Sequence, residues 1–303
     1  MRIASVDIGT NTLLLAIADF SADGSFTVFH DAHTIVRLGE NLVHTGRIGE
    51  PAIQRAITCL EEYDRICTEA KVDLRVGVAT NAVRSAANGG EVLHRLRTAF
   101  SGSLQCIGGL EEAELTFSGS VPDQGTYVVL DIGGGSTEIV YGIDGVCCDR
   151  SSIELGAVVL HERFLCCFPP DAASVSDACR FIADTLSIRE HPDQAPWIGV
   201  AGTPTTLALM SLEVHHSQVG HAQGHVLGIG VIDDLVMRLL SATREELLAM
   251  SGIHPGRADI LPAGALILRE VMMAHGCDRV TVDTHGLRYG VAKRAFAAAS
   301  RRR

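Results

Sequence analysis

The chain has 303 residues, of which 47% are hydrophobic and 20% are charged, a composition typical of a globular protein with a large core. Its net charge of −11 argues against a nucleic-acid surface built on general basicity. No stretch is long and apolar enough to predict a membrane span. The nine cysteines contain no C-x-x-C pair, and the sequence begins directly with a strand-like segment. We therefore expect a cytoplasmic protein with reduced thiols and no zinc site of the usual spacing.

The first half of the chain predicts a mixed α/β unit. Short apolar runs bounded by turn residues predict strands, and apolar residues at helical spacing, such as Ile53, Ile57 and Leu60, predict helices. The predicted elements are strands at 2–8, 12–20, 26–37, 74–80 and 104–107, and helices at 51–70, in two pieces within 81–100, and at 110–117.

The second half repeats the order of three strands, helix, strand and helix. Its predicted strands are at 127–131, 137–141, 146–152, 197–201 and 279–282, and its predicted helices are at 156–168, 173–188, 205–212, 232–240, 244–250, 261–275 and 287–299. The repeated order predicts an internal duplication. We expect one domain at 1–122 and a second at 123–303, whose last helix can pack back on the first domain.

Two turn sequences, Asp7–Thr12 and Asp131–Glu138, follow the first strand of each half and lie 131 − 7 = 124 positions apart. Their glycines allow backbone N–H groups to approach an anion closely, and their hydroxyl groups add donors. Two such turns facing each other would form a cleft that holds phosphate from both sides. The candidate phosphate-binding residues in these turns are Thr10, Asn11, Thr12, Gly133, Gly134, Gly135, Ser136 and Thr137.

Carboxylates flank both turns and are candidates for holding a hard cation such as Mg²⁺. The candidate metal ligands are Asp131, Glu138 and Asp7. For Asp131 the alternative is that its side chain caps the turn by accepting from loop amides.

Two further positions are candidates for binding phosphate. Gly202 and Thr203 precede a predicted helix, whose N-terminus favours an anion. Arg84 is the candidate clamp because a guanidinium matches phosphate oxygens in pairs; the alternative is a surface arginine on a helix. His215 to His225 contains four histidines, which could indicate a metal site, but its polar, glycine-rich sequence favours a flexible loop over 214–228. Among the histidines, His285 in the C-terminal glycine-rich segment is the better candidate for a position near the cleft.

Read in order, the turn sequences and five further segments resemble the exopolyphosphatase/guanosine pentaphosphate phosphohydrolase family. The resemblance covers essentially the whole chain. It implies the actin-like ATPase and sugar kinase fold, an α/β architecture of two ribonuclease H-like domains, each with a mixed β-sheet flanked by helices, around an interdomain cleft. The supporting segments are 36–42, 79–88, 110–114, 199–203 and 283–290.

The resemblance implies that Glu112 is the general base, since it matches the second glutamate of the family's Glu-Glu-Ala-Arg segment. The alternative is that it is a solvated glutamate on a helix face, like its neighbours Glu111 and Glu114. Glu114 departs from the family, where many members have arginine. The chain looks like the short, two-domain form without the HD-like region of longer relatives, and it is expected to form a homodimer.

These features predict a Mg²⁺-dependent phosphoanhydride hydrolase that releases terminal phosphate from inorganic polyphosphate, from pppGpp, or from both. Its partners would be polyphosphate or guanosine penta- and tetraphosphate, with no nucleic acid and no membrane. One alternative is a non-catalytic regulator that binds (p)ppGpp. Another is an ATPase or kinase of the same superfamily, although no clear sequence for an adenosine pocket is present.

Overall fold

The computed structural model describes residues 1–186 and 195–301. It divides into two compact units, one formed by Met1–Gly119 with Gly286–Arg303 and the other by Ser120–His285. The sequence had placed the boundary between residues 122 and 123 and had allowed the last helix of the second domain to pack back on the first. In the structure the chain from Gly286 onward groups with the first unit.

The first unit is built on a five-stranded sheet in the order β3-β2-β1-β4-β5. Strand β1 pairs antiparallel with β2 and parallel with β4, so the sheet is mixed. The elements are β1 (Arg2–Ile8), β2 (Thr12–Phe20), β3 (Phe26–Ile35), α1 (Leu42–Thr45), α2 (Glu50–Glu69), β4 (Leu74–Ala79), α3 (Asn81–Ser85), α4 (Gly89–Thr98), β5 (Ser103–Cys106) and α5 (Gly109–Ser120).

The second unit is built on a six-stranded sheet. Its elements are β6 (Thr126–Ile132), β7 (Thr137–Ile143), β8 (Val146–Ile153), α6 (Ala157–Phe164), α7 (Ala172–Thr185), β9 (Trp197–Val200), α8 (Gly202–Ser211), β10 (Val226–Gly228), α9 (Ile229–Leu240), α10 (Arg244–Ala249), α11 (Leu261–Ala274) and β11 (Arg279–Val282). The strand order is β10-β11-β9-β6-β7-β8. The chain then returns to the first unit as α12 (Leu287–Ser300).

The two sheets share one topology. Without the edge strand β10, the order β11-β9-β6-β7-β8 repeats β5-β4-β1-β2-β3. The registers also match, since Ile8 pairs with Leu13 in the first sheet and Ile132 pairs with Thr137 in the second, each 124 positions later. The predicted duplication of a mixed α/β unit is therefore confirmed at the level of strand pairing.

Three sequence predictions in the second unit need correction. The helix predicted to reach residue 168 ends at Phe164, where the Leu165 carbonyl lies 2.9 Å from Nδ1 of His161. The helix predicted to begin at residue 205 begins at Gly202. The segment predicted as a flexible loop contains a 3₁₀ turn and strand β10, which buries Leu227 and pairs with β11. Residues 187 and 188 of the helix predicted at 173–188 lie outside the described residues.

Helix α12 crosses α5 at glycines in the first unit. A Cβ on Gly290 would overlap the carbonyl of Leu115, and a Cβ on Gly119 would overlap the carbonyl of Gly286. The two backbones can approach this closely only because both positions lack side chains. The C-terminal helix therefore sets the position of α5.

In residues 1–186 and 195–301, no helix has the length and apolarity that a membrane span requires.

Candidate functional site

The duplicated strand ends carry the same tight turn. The N–H of Gly9 donates to the carbonyl of Thr12, and the N–H of Gly133 donates to the carbonyl of Ser136, each over 3.0 Å. A Cβ on either glycine would lie 3.0 or 3.1 Å from the carbonyl that closes its turn. Glycine is therefore favoured at the first position of both turns, as the repeated sequence had suggested.

In the first unit the chain after β3 binds the carbonyl groups of the turn. The N–H groups of Val36 and Arg37 donate to the Asn11 carbonyl over 3.0 and 2.9 Å, and Gly39 N–H donates to the Thr10 carbonyl over 2.8 Å. A Cβ on Gly39 would overlap the Thr10 side chain. Within the described chain, no group accepts a hydrogen bond from the backbone N–H of Thr10 or Asn11. These two amides are thus available to an anion.

The side chain of Asn11 adds a buried donor at the same turn. Asn11 is 6% exposed, and its Nδ2 has no hydrogen-bond partner among the residues that the structure describes. Leaving such a group unsatisfied costs about 1–3 kcal/mol, so an acceptor on a bound ligand would be favourable. Thr10 and Thr12 are buried beside it.

In the second unit the start of helix α6 binds the carbonyl groups of the turn. Ala157 N–H donates to the Gly133 carbonyl over 3.0 Å, and Val158 N–H donates to the Gly134 carbonyl over 2.8 Å. No acceptor for the backbone N–H of Gly134 or Gly135 occurs in the described ranges. The second turn therefore offers its amides in the same way as the first.

The hydroxyl groups of the second turn have different roles. Oγ1 of Thr137 donates to the Leu155 carbonyl, and the residue is fully buried. This hydroxyl therefore makes a hydrogen bond within the fold. The predicted phosphate-binding role of Thr137 then rests only on its position at the start of β7. Ser136 is 3% exposed and lies at the turn itself.

Gly202 and Thr203 lie at the N-terminus of α8, which follows β9. Because β9 is parallel to β6, the end of β9 and the glycine turn share one edge of the sheet. Gly264 of α11 packs against both Thr203 and Ala157, where a Cβ would overlap Oγ1 of Thr203 and lie 3.3 Å from Cβ of Ala157. The N-termini of α6 and α8 therefore meet at Gly264, which sequence reasoning missed.

Arg257 is the second residue that sequence reasoning missed. Its guanidinium lies on Gly202, where any Cβ would overlap Nη1. Burial lowers the pKa of Arg257 to about 10. This contact places a cation at the N-terminus of α8. No local sequence signal marks it, because the two residues meet only through the fold.

The predicted metal ligands lie at strand ends. Asp131 is directly opposite Glu138 in the β6–β7 ladder, and Glu138 is 1% exposed with Oε1 accepting from Ser152 Oγ over 2.7 Å. The two carboxylates therefore lie side by side on one face of the sheet, a placement from which one or both could hold a cation. Asp7 occupies the matching position on β1, opposite Leu14.

The described residues include no group of three His, Cys, Asp or Glu side chains placed to hold a metal ion. Mg²⁺ usually binds one or two carboxylates and completes its coordination with water and substrate phosphate. The pair of Asp131 and Glu138 fits that pattern, whereas residues 1–186 and 195–301 form no cage made entirely of protein ligands.

Glu112 is a buried charged group of the first unit. It is 7% exposed on α5, whereas Glu111 and Glu114 on the same helix are exposed. The structure therefore contradicts the alternative of a solvated helix-face glutamate. Oε2 of Glu112 accepts from Nη1 of Arg84 over 3.1 Å, and the same nitrogen donates to the Ile107 carbonyl over 2.9 Å.

Arg84 therefore orients the Glu112 carboxylate. It lies in α3 after β4, and its side chain is partly buried. Its Nε and Nη2 donate to no group in 1–186 or 195–301. One face of the guanidinium therefore holds the glutamate, while the remaining donors can bind phosphate oxygens.

Other residues of the recognised segments have structural roles. Asn88 bonds to both the N–H and the carbonyl of Ile48, over 3.0 and 2.9 Å. His285 lies 3.2 Å from the Asp283 carboxylate, which also accepts from the His285 N–H. Arg288 is bound to Asp31 within the first unit.

Comparison with known proteins gives consistent results. The model of the Ppx/GppA phosphatase family matches residues 17–297. The chain is 36% identical to exopolyphosphatase 2 of Mycobacterium tuberculosis, over 96% of this chain and 97% of that protein.

Two solved structures align over nearly the whole chain. The Ppx/GppA family member of Aquifex aeolicus has a TM-score of 0.82 at 30% identity, covering 99% of this chain and 98% of its own. An exopolyphosphatase from Cytophaga hutchinsonii has a TM-score of 0.87 at 27% identity, covering 98% of each chain. These alignments confirm the expected actin-like ATPase fold class of two mixed sheets flanked by helices.

Proposed function

Because the chain belongs to the Ppx/GppA phosphatase family, we propose that it hydrolyses phosphoanhydride bonds and releases terminal phosphate from inorganic polyphosphate, from pppGpp, or from both. The name of the mycobacterial relative, exopolyphosphatase 2, supports polyphosphate as a substrate. The observation that carries the proposal is the buried Glu112 held 3.1 Å from Arg84. A buried, oriented carboxylate is the group that a hydrolase of this kind needs as a base.

In the proposed reaction Glu112 accepts a proton from a water molecule as the water attacks the terminal phosphorus. The bond from phosphorus to the bridging oxygen breaks, and the shortened chain leaves with that oxygen. Arg84 keeps the carboxylate oriented and offers Nε and Nη2 to the phosphate oxygens. A positioned general base contributes roughly 10²–10⁴-fold to the rate.

The turn amides would bind the charge of the phosphate chain. Each unit offers such donors in its own turn: the N–H groups of Thr10 and Asn11 in the first unit, and those of Gly134 and Gly135 in the second. Donors that are fixed before the reaction stabilise developing charge without reorganising. Mg²⁺ held by Asp131 and Glu138, with Asp7 as a further candidate, would neutralise phosphate oxygens.

The substrate and cofactor are tested together by one panel of assays. Purified protein is given long-chain polyphosphate, tripolyphosphate, pppGpp or ATP, with Mg²⁺ or with EDTA, while released phosphate is followed. We expect release from polyphosphate or pppGpp that EDTA abolishes and added Mg²⁺ restores. Release from none of the four, together with tight binding of ppGpp, would instead identify a regulator. Release from ATP alone would identify an ATPase.

We also propose that the protein is a homodimer, as the family resemblance implied. Light scattering coupled to size-exclusion chromatography measures the mass directly. A mass near twice the 32.2 kDa of one chain is expected, and a mass of one chain at micromolar concentration would refute the dimer.

A further inference from the structure

The chain that follows β3 has an unusual backbone conformation beside the turn of the first unit. Arg37 has a φ of 52°, in the left-handed region that residues with a side chain rarely adopt. This conformation lets two consecutive N–H groups, those of Val36 and Arg37, donate to the one carbonyl of Asn11. Such a conformation persists only where its surroundings hold it. We therefore looked for the group that holds this segment.

Arg55 of α2 binds the segment at three points. Its Nε donates to the Val36 carbonyl over 2.7 Å. Its Nη2 donates to the Arg37 carbonyl over 3.3 Å and to the Glu40 carboxylate over 2.9 Å. The two carbonyl groups flank the α-carbon of Arg37, so one guanidinium fixes the peptide groups on both sides of the strained residue. Hydrogen bonds from a charged donor are stronger than those between neutral groups.

One of these hydrogen bonds continues directly into the turn. The Val36 carbonyl and the Arg37 N–H belong to the same planar peptide group. Arg55 binds the carbonyl of this group, and the N–H of the same group donates to the Asn11 carbonyl over 2.9 Å. Hydrogen bonds at the two ends of a peptide group polarise and strengthen each other. Arg55 therefore acts on Asn11 through a single peptide group.

The same segment also directs one amide of the turn. The N–H of Gly39 donates to the Thr10 carbonyl over 2.8 Å, and this carbonyl shares its peptide group with the N–H of Asn11. The carbonyl and the N–H of a trans peptide group point in opposite directions. Binding of the carbonyl by Gly39 therefore directs the Asn11 N–H away from the segment, where it is available to an anion.

Core packing places this segment but does not orient its peptide groups. Val36 and Leu38 are 2% and 0% exposed and belong to the core that the buried face of α2 covers. The side chains of Arg55 and Glu40 are 41% and 43% exposed, so the ion pair between them contributes little to stability. The contribution of Arg55 is therefore its pair of hydrogen bonds to carbonyl groups.

We propose that Arg55 is a positioning residue that keeps the Thr10–Asn11 turn in the shape that binds a phosphate group of the substrate. It acts through the peptide group between Val36 and Arg37 and does not itself contact the substrate. The identity of the anion rests on the proposed function, but the effect of Arg55 is measured by binding as well as by turnover.

Two variants of Arg55 and one control separate this role from a general effect of charge. Arg55→Gln removes the guanidinium, whereas Arg55→Lys keeps the charge but lacks the planar fork that binds two carbonyl groups. Arg65→Gln is the matched control on α2. Arg65 pairs with the exposed Glu62 and Glu69 and, among the described residues, binds no backbone carbonyl.

Phosphate release from polyphosphate gives KM and kcat for each protein. We expect Arg55→Gln to raise KM about tenfold and to lower kcat less than about threefold, because the turn binds phosphate before and during the reaction while Glu112 and Arg84 are unchanged. Arg55→Lys should raise KM about threefold, and Arg65→Gln should keep the parent KM. A fall in kcat with the parent KM in Arg55→Gln would contradict the proposal.

Calorimetry with tripolyphosphate measures binding without turnover when each substitution is added to the Glu112→Gln protein. The dissociation constant should rise about tenfold with Arg55→Gln and stay unchanged with Arg65→Gln. NMR provides a local readout, since saturating tripolyphosphate should shift the backbone amide resonance of Asn11 less in Arg55→Gln than in the parent.

A folded Arg55→Gln protein with the parent KM, dissociation constant and Asn11 shift would overturn the inference. If Arg55→Gln does not fold, the same parent values in Arg55→Lys would overturn it. These outcomes leave the proposed function intact as long as the parent releases phosphate. Conversely, a parent that binds tripolyphosphate but releases no phosphate, with binding that Arg55→Gln weakens, would refute the proposed function and support the role of Arg55.

Discussion

At the scale of single residues, Asn11 and Asn88 differ in whether the fold satisfies the hydrogen bonds of their side chains. Both are buried asparagines of the first unit. The side chain of Asn88 bonds to the backbone of Ile48 on both sides, whereas Nδ2 of Asn11 has no acceptor among the described residues. A buried donor without a partner is unfavourable in the free protein and becomes useful when a ligand supplies the acceptor.

We predict opposite effects for the two alanine variants. Asn11→Ala should leave the free energy of unfolding unchanged or raise it by up to about 1 kcal/mol, while KM rises about tenfold. Asn88→Ala should lower the free energy of unfolding by about 1–3 kcal/mol and leave KM unchanged. Urea unfolding and phosphate-release kinetics measure both. A loss of stability in Asn11→Ala with unchanged KM would contradict a ligand-binding role.

Some residues of the site could be predicted from the sequence and others could not. The turn residues and Glu112 lie in short local strings whose spacing is visible in the chain. Arg257 and Gly264 are visible only in the fold, because their partners Gly202 and Thr203 come from another helix. Burial also changed the interpretation of Thr137, whose hydroxyl binds the Leu155 carbonyl.

At the scale of elements, helix α5 presents Glu112 and helix α12 fixes α5. The crossing depends on Gly290, where a Cβ would overlap the Leu115 carbonyl three residues from Glu112. The sequence predicted both helices from their periodicity, but not their crossing. It also missed β10, because a three-residue strand in a polar segment gives no periodic signal.

We predict that Gly290→Ala destabilises the protein by about 1–3 kcal/mol and lowers kcat more than it raises KM, since the methyl group must push α5 away from α12. Gly90→Ala is the matched control. Gly90 lies in α4 with nothing within 4 Å of an added Cβ, so the substitution should leave the protein as stable or more stable by up to about 1 kcal/mol. Thermal unfolding and kinetics test both; an unchanged kcat in Gly290→Ala would refute the positioning role.

At the scale of the whole molecule, an ion pair between the buried Arg288 and the partly exposed side chain of Asp31 ties α12 to the first unit. Arg288, which is 3% exposed, donates through Nη2 to Asp31 over 2.6 Å, and the Tyr289 hydroxyl donates to the same oxygen over 2.7 Å. Burial opposes ionisation of Asp31, but hydrogen bonding from His33 and the charge of Arg288 outweigh it and hold the pKa of Asp31 below its usual range. The sequence had left the position of this helix open.

Asp31 should therefore contribute to stability in a defined pH range. Its folded pKa is lower than its unfolded pKa of about 4, so the contribution is present above pH 4 and is lost as the pH falls towards the folded value. We predict that Asp31→Asn is less stable than the parent at pH 7 and that the difference narrows between pH 5 and pH 3. Urea unfolding across that range measures it. Asp177→Asn, which removes an exposed pair with Arg180, should have little effect at any pH.

The duplicated topology explains why so much of the molecule could be predicted. Strand order, register and turn repeat at one spacing, so each half of the sequence supports the interpretation of the other. The contents of the two turns differ, since the first has Thr10 and Asn11 where the second has Gly134 and Gly135. The first unit therefore adds side-chain donors where the second offers only its backbone.

The central claim is that Glu112, held by Arg84, activates water for phosphoanhydride hydrolysis. It is tested most directly by phosphate release from polyphosphate by the parent protein, Glu112→Gln and Glu111→Gln, each checked for folding by circular dichroism. Glu111 is the exposed neighbour that pairs with Arg294. The account predicts that kcat falls by roughly 10²–10⁴-fold in Glu112→Gln, with KM nearly unchanged, and stays at the parent value in Glu111→Gln. A folded Glu112→Gln protein that turns over at the parent rate would contradict it.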